Sequence, residues 1–416
     1  MVGTFLAAID SLPETARWAK VRELIFTQPL PFFEELRRDR PIWRLPQLTL
    51  VTRFADCSSI LRLHDAFGVD LYEPKQGSYF MAQDDTAAHW REKSIMTTVL
   101  NREDIPAIRT WVGEKTRDAL ARAAGNVEVV SSISRAVPIA LVQEWFGFSG
   151  ADPKEMKDWS YWNQQDAFWN QPFDSVAVPD QAAIVSKREA ANVRMAIWLA
   201  KLVAKKALAV KLWLPSQDIV SRLLRLSFSN ATSFSIKDVI LNLGGLLIGA
   251  VETTSHTVVN SVEFLLDRKD LLPHAHSAAL LPDPSKFDGY IFEALRFRPA
   301  FPYYFRICHR PTPLCIGTTH EAIIEPGTTV LAVTHSAMFD ESAFKDPMKF
   351  DPERNHADTF TFGQGLHECL GIAVARVMVP EIARQMLRQN NLQAASKPDY
   401  KGSAVPESWT LTYQPA

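Results

Sequence analysis

The stretch Phe362–Gly371, FGQGLHECLG, decides how the rest of the chain is read. It sets one cysteine, Cys369, in a glycine-punctuated loop that runs into an apolar, helical run from Leu370 to Val379. Backbone amides and a helix N-terminus beside a sulfur favour its thiolate form. The glycines let the backbone close round the sulfur and lie flat against a planar ligand, because glycine accepts positive φ and close approach. A lone cysteine is most often a buried apolar filler. The flanking pattern argues instead for a loop that offers one thiolate.

Around this loop lies a chain of 416 residues with 47% apolar and 22% charged side chains, the composition of an ordinary globular protein with ample core. Its 45 basic and 47 acidic residues leave a net charge of -2, which argues against a nucleic-acid binder working by phosphate neutralisation. The four cysteines, Cys57, Cys308, Cys315 and Cys369, show no paired spacing, so neither a zinc site nor a disulfide framework is expected, and a reducing cytoplasm fits best. The N-terminal apolar run before Asp10 is far short of the roughly 20 residues that span a bilayer. It also lacks the basic segment of a signal peptide, so no membrane anchor is expected.

In chain order, Pro31 to Asp39 reads as a short amphipathic helix, Ile42 to Thr52 as a hairpin, and Phe54 to Leu63 as a helix. Asp65 to Asp84 loses periodicity, and Asp84-Asp85 offers an N-cap for a helix running to Leu100, on which His89 and Lys93 share a face. Ile105 to Phe148 is mainly helical with a break near Gly125-Asn126. Trp159 to Val178 collects six aromatic residues with no regular period, and Gln181 to Val210 reads as one long helix.

Ser235 and Asp238 form a capping box at the head of a proline-free run to Asp267. A single helix of that length would reach about 50 Å. In its middle, Gly249-Ala250-Val251-Glu252-Thr253-Thr254 places an acid and hydroxyls beside a glycine, a costly choice for a buried helix. Further on, Glu293 and Arg296 share a helix face at i,i+3 spacing, followed by PAFPYYFR (Pro299 to Arg306) and FDPER (Phe350 to Arg354).

Together these stretches, in this order, resemble the cytochrome P450 superfamily of haem-thiolate monooxygenases, in its soluble bacterial form. The resemblance covers essentially the whole chain. It implies a mainly α fold with small peripheral β-sheets, a triangular, helix-rich single domain (residues 1–416) crossed by a long central oxygen-binding helix. It implies haem b, iron protoporphyrin IX, with Cys369 as axial thiolate and metal ligand. His367, Arg306, His89 and Lys93 are implied at the haem propionates, and Phe362 and Gly363 against the ring. Lys93 stands where the family carries arginine, and a lysine lacks the bidentate fork. Thr253 and Glu252 are implied as the pair that delivers protons, and Gly249 and Ala250 as the groove that admits dioxygen, with Ala250 where glycine is usual. Phe301, Tyr303 and Tyr304 are implied as pocket walls, and Glu293, Arg296 and Arg354 as a structural ion network.

The activity so implied is insertion of one oxygen atom from O2 into an apolar small molecule by hydroxylation, dealkylation or epoxidation. The chain carries no flavin or nicotinamide fingerprint, so electrons are expected from a separate ferredoxin and its reductase, or a flavodoxin-type donor, acting on a cytoplasmic monomer. The alternatives are a peroxide-using peroxygenase and a haem sensor or carrier. After the cysteine loop, Met378 and Pro380 depart from the family pattern, and Pro380 is expected to kink or restart the helix.

Overall fold

The computed structural model describes residues 5–84, 87–100, 102–229 and 232–415. The central helix begins where its capping box predicts. Ser235 N donates to Asp238 Oδ2 at 2.7 Å and Asp238 N to Ser235 Oγ at 3.2 Å, satisfying two amides that the first turn leaves unpaired. It does not run unbroken. One helix spans Ile236–Ala250 and a second Glu252–Asp267, hinged at Val251 with φ -91° and ψ -69°.

Side chains inserted at the hinge account for the break, in place of the single rod expected from the absence of proline. Thr253 Oγ1 donates to Gly249 O at 2.5 Å. Ile248 O accepts from Ser160 Oγ at 3.1 Å and from Gln164 Nε2 at 2.8 Å, both on the neighbouring helix Pro153–Trp169.

That neighbouring helix corrects the irregular reading of the aromatic stretch. Trp159, Tyr161 and Trp169 are buried on it, as are Asn163, Gln164 and Asp166. A helix covered on nearly every side has no polar face, so its sequence shows no amphipathic period. The long helix Gln181–Lys211 packs against its outer side. The helix expected after Asp84 is Ala87–Val99; its proposed cap at Asp85 lies outside the described residues. Asp84 instead accepts from Val69 N at 2.9 Å.

Strands Ile42–Arg44 and Thr49–Val51 pair as the expected hairpin. They extend through Thr329–Ala332, which runs parallel to Thr49–Val51, to Tyr304–Cys308 and finally Phe67–Gly68. Smaller sheets of three and two strands complete the β content of the described residues. The main apolar core fills the space between the helices, with a second core under the N-terminal helices around Trp18, Phe32 and Phe33.

Two features hold the cysteine loop against this frame. Glu293 and Arg296, both fully buried, pair at 2.7 and 3.0 Å on helix Ser285–Phe297, and Arg354 Nε reaches the same carboxylate at 3.3 Å. Helix Ile372–Leu387 then runs on through Pro380 without restarting. Its packing against Ile105–Ala123 and Glu252–Asp267 sustains it across the one backbone bond that proline removes. Met378, which departs from the family pattern, is buried in this packing. Among the described residues, no helix is long and apolar enough to cross a membrane.

Candidate functional site

A cavity of about 310 Å³ opens where the hinge of the central helix, the cysteine loop and strand Tyr304–Cys308 meet. The loop reaches it through a 3-10 turn, Gly365–His367, with Gly363 at φ +72° and Gly365 at φ +74°. A side chain at Gly365 would also strike Leu61 O at 2.4 Å, so only glycine closes this turn. Cys369 N donates to Phe362 O at 2.9 Å, and the sulfur lies in the cavity wall beside Phe362, Gly363 and Gly371. Burial raises its thiol above the ordinary pKa, opposed by a bond from Gly371. Desolvation therefore outweighs the amides that the sequence offers.

Gly249, Ala250 and Thr253 line the same cavity from the central helix. Glu252 does not. Successive helical residues project about 100° apart, so while Thr253 faces the cavity, Glu252 turns into the protein and meets Arg135. Nε lies 3.0 Å from both carboxylate oxygens and Nη2 2.9 Å from Oε2. Burial, opposed by Arg135, leaves the Glu252 carboxyl above its ordinary range. The structure thus separates the acid from the hydroxyl that the sequence reading paired.

Strand alternation sorts the aromatic candidates in the same way. Tyr304 and Arg306 face the cavity, as does Phe301 just before them. Tyr303 faces away and packs with Phe305 in the N-terminal core, so it is not a wall of this pocket. Arg306 is buried; its Nη1 donates to Phe305 O at 2.8 Å, and burial lowers its pKa against Tyr72 and Asp84.

His367 lines the cavity. Its Nε2 lies 3.3 Å from Asp84 Oδ1, its Nδ1 has no hydrogen-bond partner, and burial pushes its pKa down to about 4. His89 sits behind it, the two rings edge to face at 5.1 Å, with Nδ1 against Phe80 O at 2.7 Å and Gln83 O at 3.0 Å. Lys93 donates to Leu366 O and, at 3.3 Å, to Glu368 O. His89 and Lys93 therefore brace the cysteine loop from outside the cavity lining.

Sequence reasoning missed Arg135, Gln164 and Tyr79, none of which belongs to a local pattern, and read Asp84 only as part of a helix cap. Tyr79 lies so close over Gly245 that a methyl there would meet its ring at 2.2 Å. A glycine on a helix facing an unassigned aromatic loop was the available signal.

These residues fit an iron porphyrin. One sulfur faces the cavity, the cation Arg306 and the unpartnered Nδ1 of His367 also border it, and the backbone at Gly249 and Gly363 is bare. A methyl at Gly249 would meet nothing within 4 Å, and one at Gly363 nothing closer than 3.8 Å.

The cytochrome P450 family profile matches residues 287–405, the segment holding the Glu293–Arg296 pair and the cysteine loop. Cytochrome P450 107B1 of Saccharopolyspora erythraea is 26% identical over 389 residues, covering 87% of this chain and 88% of that protein. Erythromycin C-12 hydroxylase of the same organism is 25% identical over 358 residues, 84% of each. Among solved structures, cytochrome P450 CYP109Q5 from Chondromyces apiculatus superposes with a TM-score of 0.77 at 19% identity, over 94% of this chain and 97% of that one. The cysteine loop thus lies inside the segment that the cytochrome P450 profile matches, and along most of its length the chain is similar to bacterial cytochromes P450 and shares their fold.

Proposed function

We propose that the protein is a haem-thiolate monooxygenase that inserts one atom of O2 into an apolar small molecule, with electrons from a separate ferredoxin and its reductase in the cytoplasm. One observation carries this reading: Cys369, Gly249, Ala250 and Thr253 line the same largely apolar cavity. Cys369 would hold haem b, with Arg306 and His367 at its propionates, and the group would supply the electron and oxygen chemistry that no side chain provides.

The chain's own residues do the rest. Arg306 carries positive charge to the cavity edge, where burial strengthens its attraction for a carboxylate. Gly249 keeps the helix surface clear beside the hydroxyl of Thr253. Thr253 Oγ1 holds its proton on Gly249 O and can present it to the cavity by rotation about one bond. The second oxygen atom leaves as water, which consumes a pair of protons and a pair of electrons. Aromatic walls, Phe301 and Tyr304 among them, exclude bulk water.

The test is the reduced carbon monoxide adduct of the purified protein, which should show the red-shifted Soret band of thiolate ligation and lose it in Cys369→Ala. An unshifted band, or one that persists in the variant, overturns the assignment. Turnover with a ferredoxin system should exceed turnover with hydrogen peroxide alone; the reverse makes the protein a peroxygenase.

A further inference from the structure

We infer that the cavity takes a neutral, flat aromatic compound bearing one O–H or N–H donor, and that Gln164 reads that donor; the inference rests on the monooxygenase reading and names its substrate class. Gln164 is only 3% exposed, and it lines the cavity from helix Pro153–Trp169. Its amide has a fixed orientation. Nε2 donates to Ile248 O at 2.8 Å, and Ser160 Oγ donates to the same carbonyl at 3.1 Å. Flipping the amide would press Oε1 against a carbonyl oxygen, two acceptors with no hydrogen between them. Oε1 is therefore the end left for the cavity, and no described residue donates to it. An acceptor held in this way recognises a donor, and a ligand without one leaves it unpaired.

The walls specify the rest of the molecule. Phe168 and Phe301 pack at 5.0 Å, Trp169 stacks behind Phe301 at 5.8 Å, and Tyr304 stacks on it at 6.3 Å. Flat aromatic faces of this kind suit a flat aromatic ligand. Charge is selected against. Arg306 is the one cationic lysine or arginine in the lining and serves the propionate edge, no aspartate or glutamate lines the cavity among the described residues, and Glu252 is turned to Arg135. A charged substrate would lose its hydration without gaining a partner.

The probes are indole, N-methylindole, benzothiophene and naphthoate, titrated into the haem-loaded protein by calorimetry. This readout does not depend on the iron's spectrum. Methylating the indole nitrogen should weaken binding about tenfold in spite of the added apolar area. In Gln164→Met, which keeps the volume and removes the acceptor, the preference for indole over benzothiophene should fall by about the same factor. The wild-type comparison stands even if that variant does not fold. Equal affinity for indole and N-methylindole, an unchanged preference in Gln164→Met, or tighter binding of naphthoate overturns the inference. The carbon monoxide adduct of the same preparation reports separately on the haem-thiolate reading.

Discussion

Arg135 and Glu252 form a sealed bidentate ion pair, with side chains 8% and 1% exposed, and Arg135 reaches on to Glu407 Oε1 at 3.3 Å and Pro406 O at 3.2 Å. Burying both charges is costly, and removing one partner is worse because the other stays behind unpaired. Arg135→Leu should destabilise the fold by about 3–5 kcal/mol in urea titrations. The double variant Arg135→Leu with Glu252→Gln should lose less than the sum of the single changes, by about 1–3 kcal/mol. Strict additivity would show that the pair is not coupled.

Arg296 is a stricter case, because it pairs with Glu293 and also donates to Met338 O at 3.0 Å and Pro347 O at 2.8 Å. Its guanidinium lies over the Phe339 ring at 4.3 Å. A lysine cannot reproduce a planar fork that serves a carboxylate, two carbonyls and a ring at once. Arg296→Lys should therefore cost about 2 kcal/mol or more in urea midpoints. A change within error would remove Arg296 from the structural network.

His335 and His256 make stability depend on acidity. Burial pushes His335 down to about 3 and His256 down to about 4. Unfolded histidine titrates near about 6.5. Between those values the unfolded chain binds a proton that the folded chain refuses, so stability is complete above about pH 6.5 and is lost as pH falls towards 4 and 3. Each histidine contributes a slope of about 1.4 kcal/mol per pH unit in that window. His256→Phe keeps a ring beside Tyr400 and should remove one such slope from urea midpoints measured between about pH 4.5 and about pH 6.5, inside that window. An unaltered slope would show that His256 charges freely in the folded protein.

What the sequence made legible follows the range of each interaction. The Ser235–Asp238 box and the Glu293–Arg296 pair each span three residues, so their spacing alone specifies them. The hairpin at Ile42–Val51 is equally local. Arg135 meets Glu252 across 117 positions and Gln164 meets Ile248 across 84, and no periodicity encodes such pairings. The hinge at Val251 was hidden for the same reason: part of what bends the helix is carried by Ser160 and Gln164 on another one. Tyr303 was misplaced because an aromatic run does not by itself say which of two adjacent residues, Tyr303 or Tyr304, faces the cavity. The cysteine loop was the exception, since a thiol, its glycines and the helix that follows lie within ten consecutive residues.

Two helical glycines should respond to alanine with opposite signs. In an open helix, Gly→Ala gains about 1 kcal/mol from reduced backbone entropy. At Gly249 a methyl meets nothing within 4 Å, so Gly249→Ala should stabilise the haem-free protein by about that amount while filling part of the cavity. At Gly289 the methyl would lie 2.0 Å from Pro352 O. That carbonyl cannot retreat easily, because Asp351 N donates to Glu293 Oε1 at 3.0 Å and Arg354 grips the same carboxylate at 3.3 Å. Overpacking against a pinned backbone costs about 1–3 kcal/mol or more, which exceeds the helical gain. Gly289→Ala should therefore lower the urea midpoint while Gly249→Ala raises it. A stabilised Gly289→Ala would mean that the 351–354 loop yields, and with it the anchorage of Arg354 on Glu293.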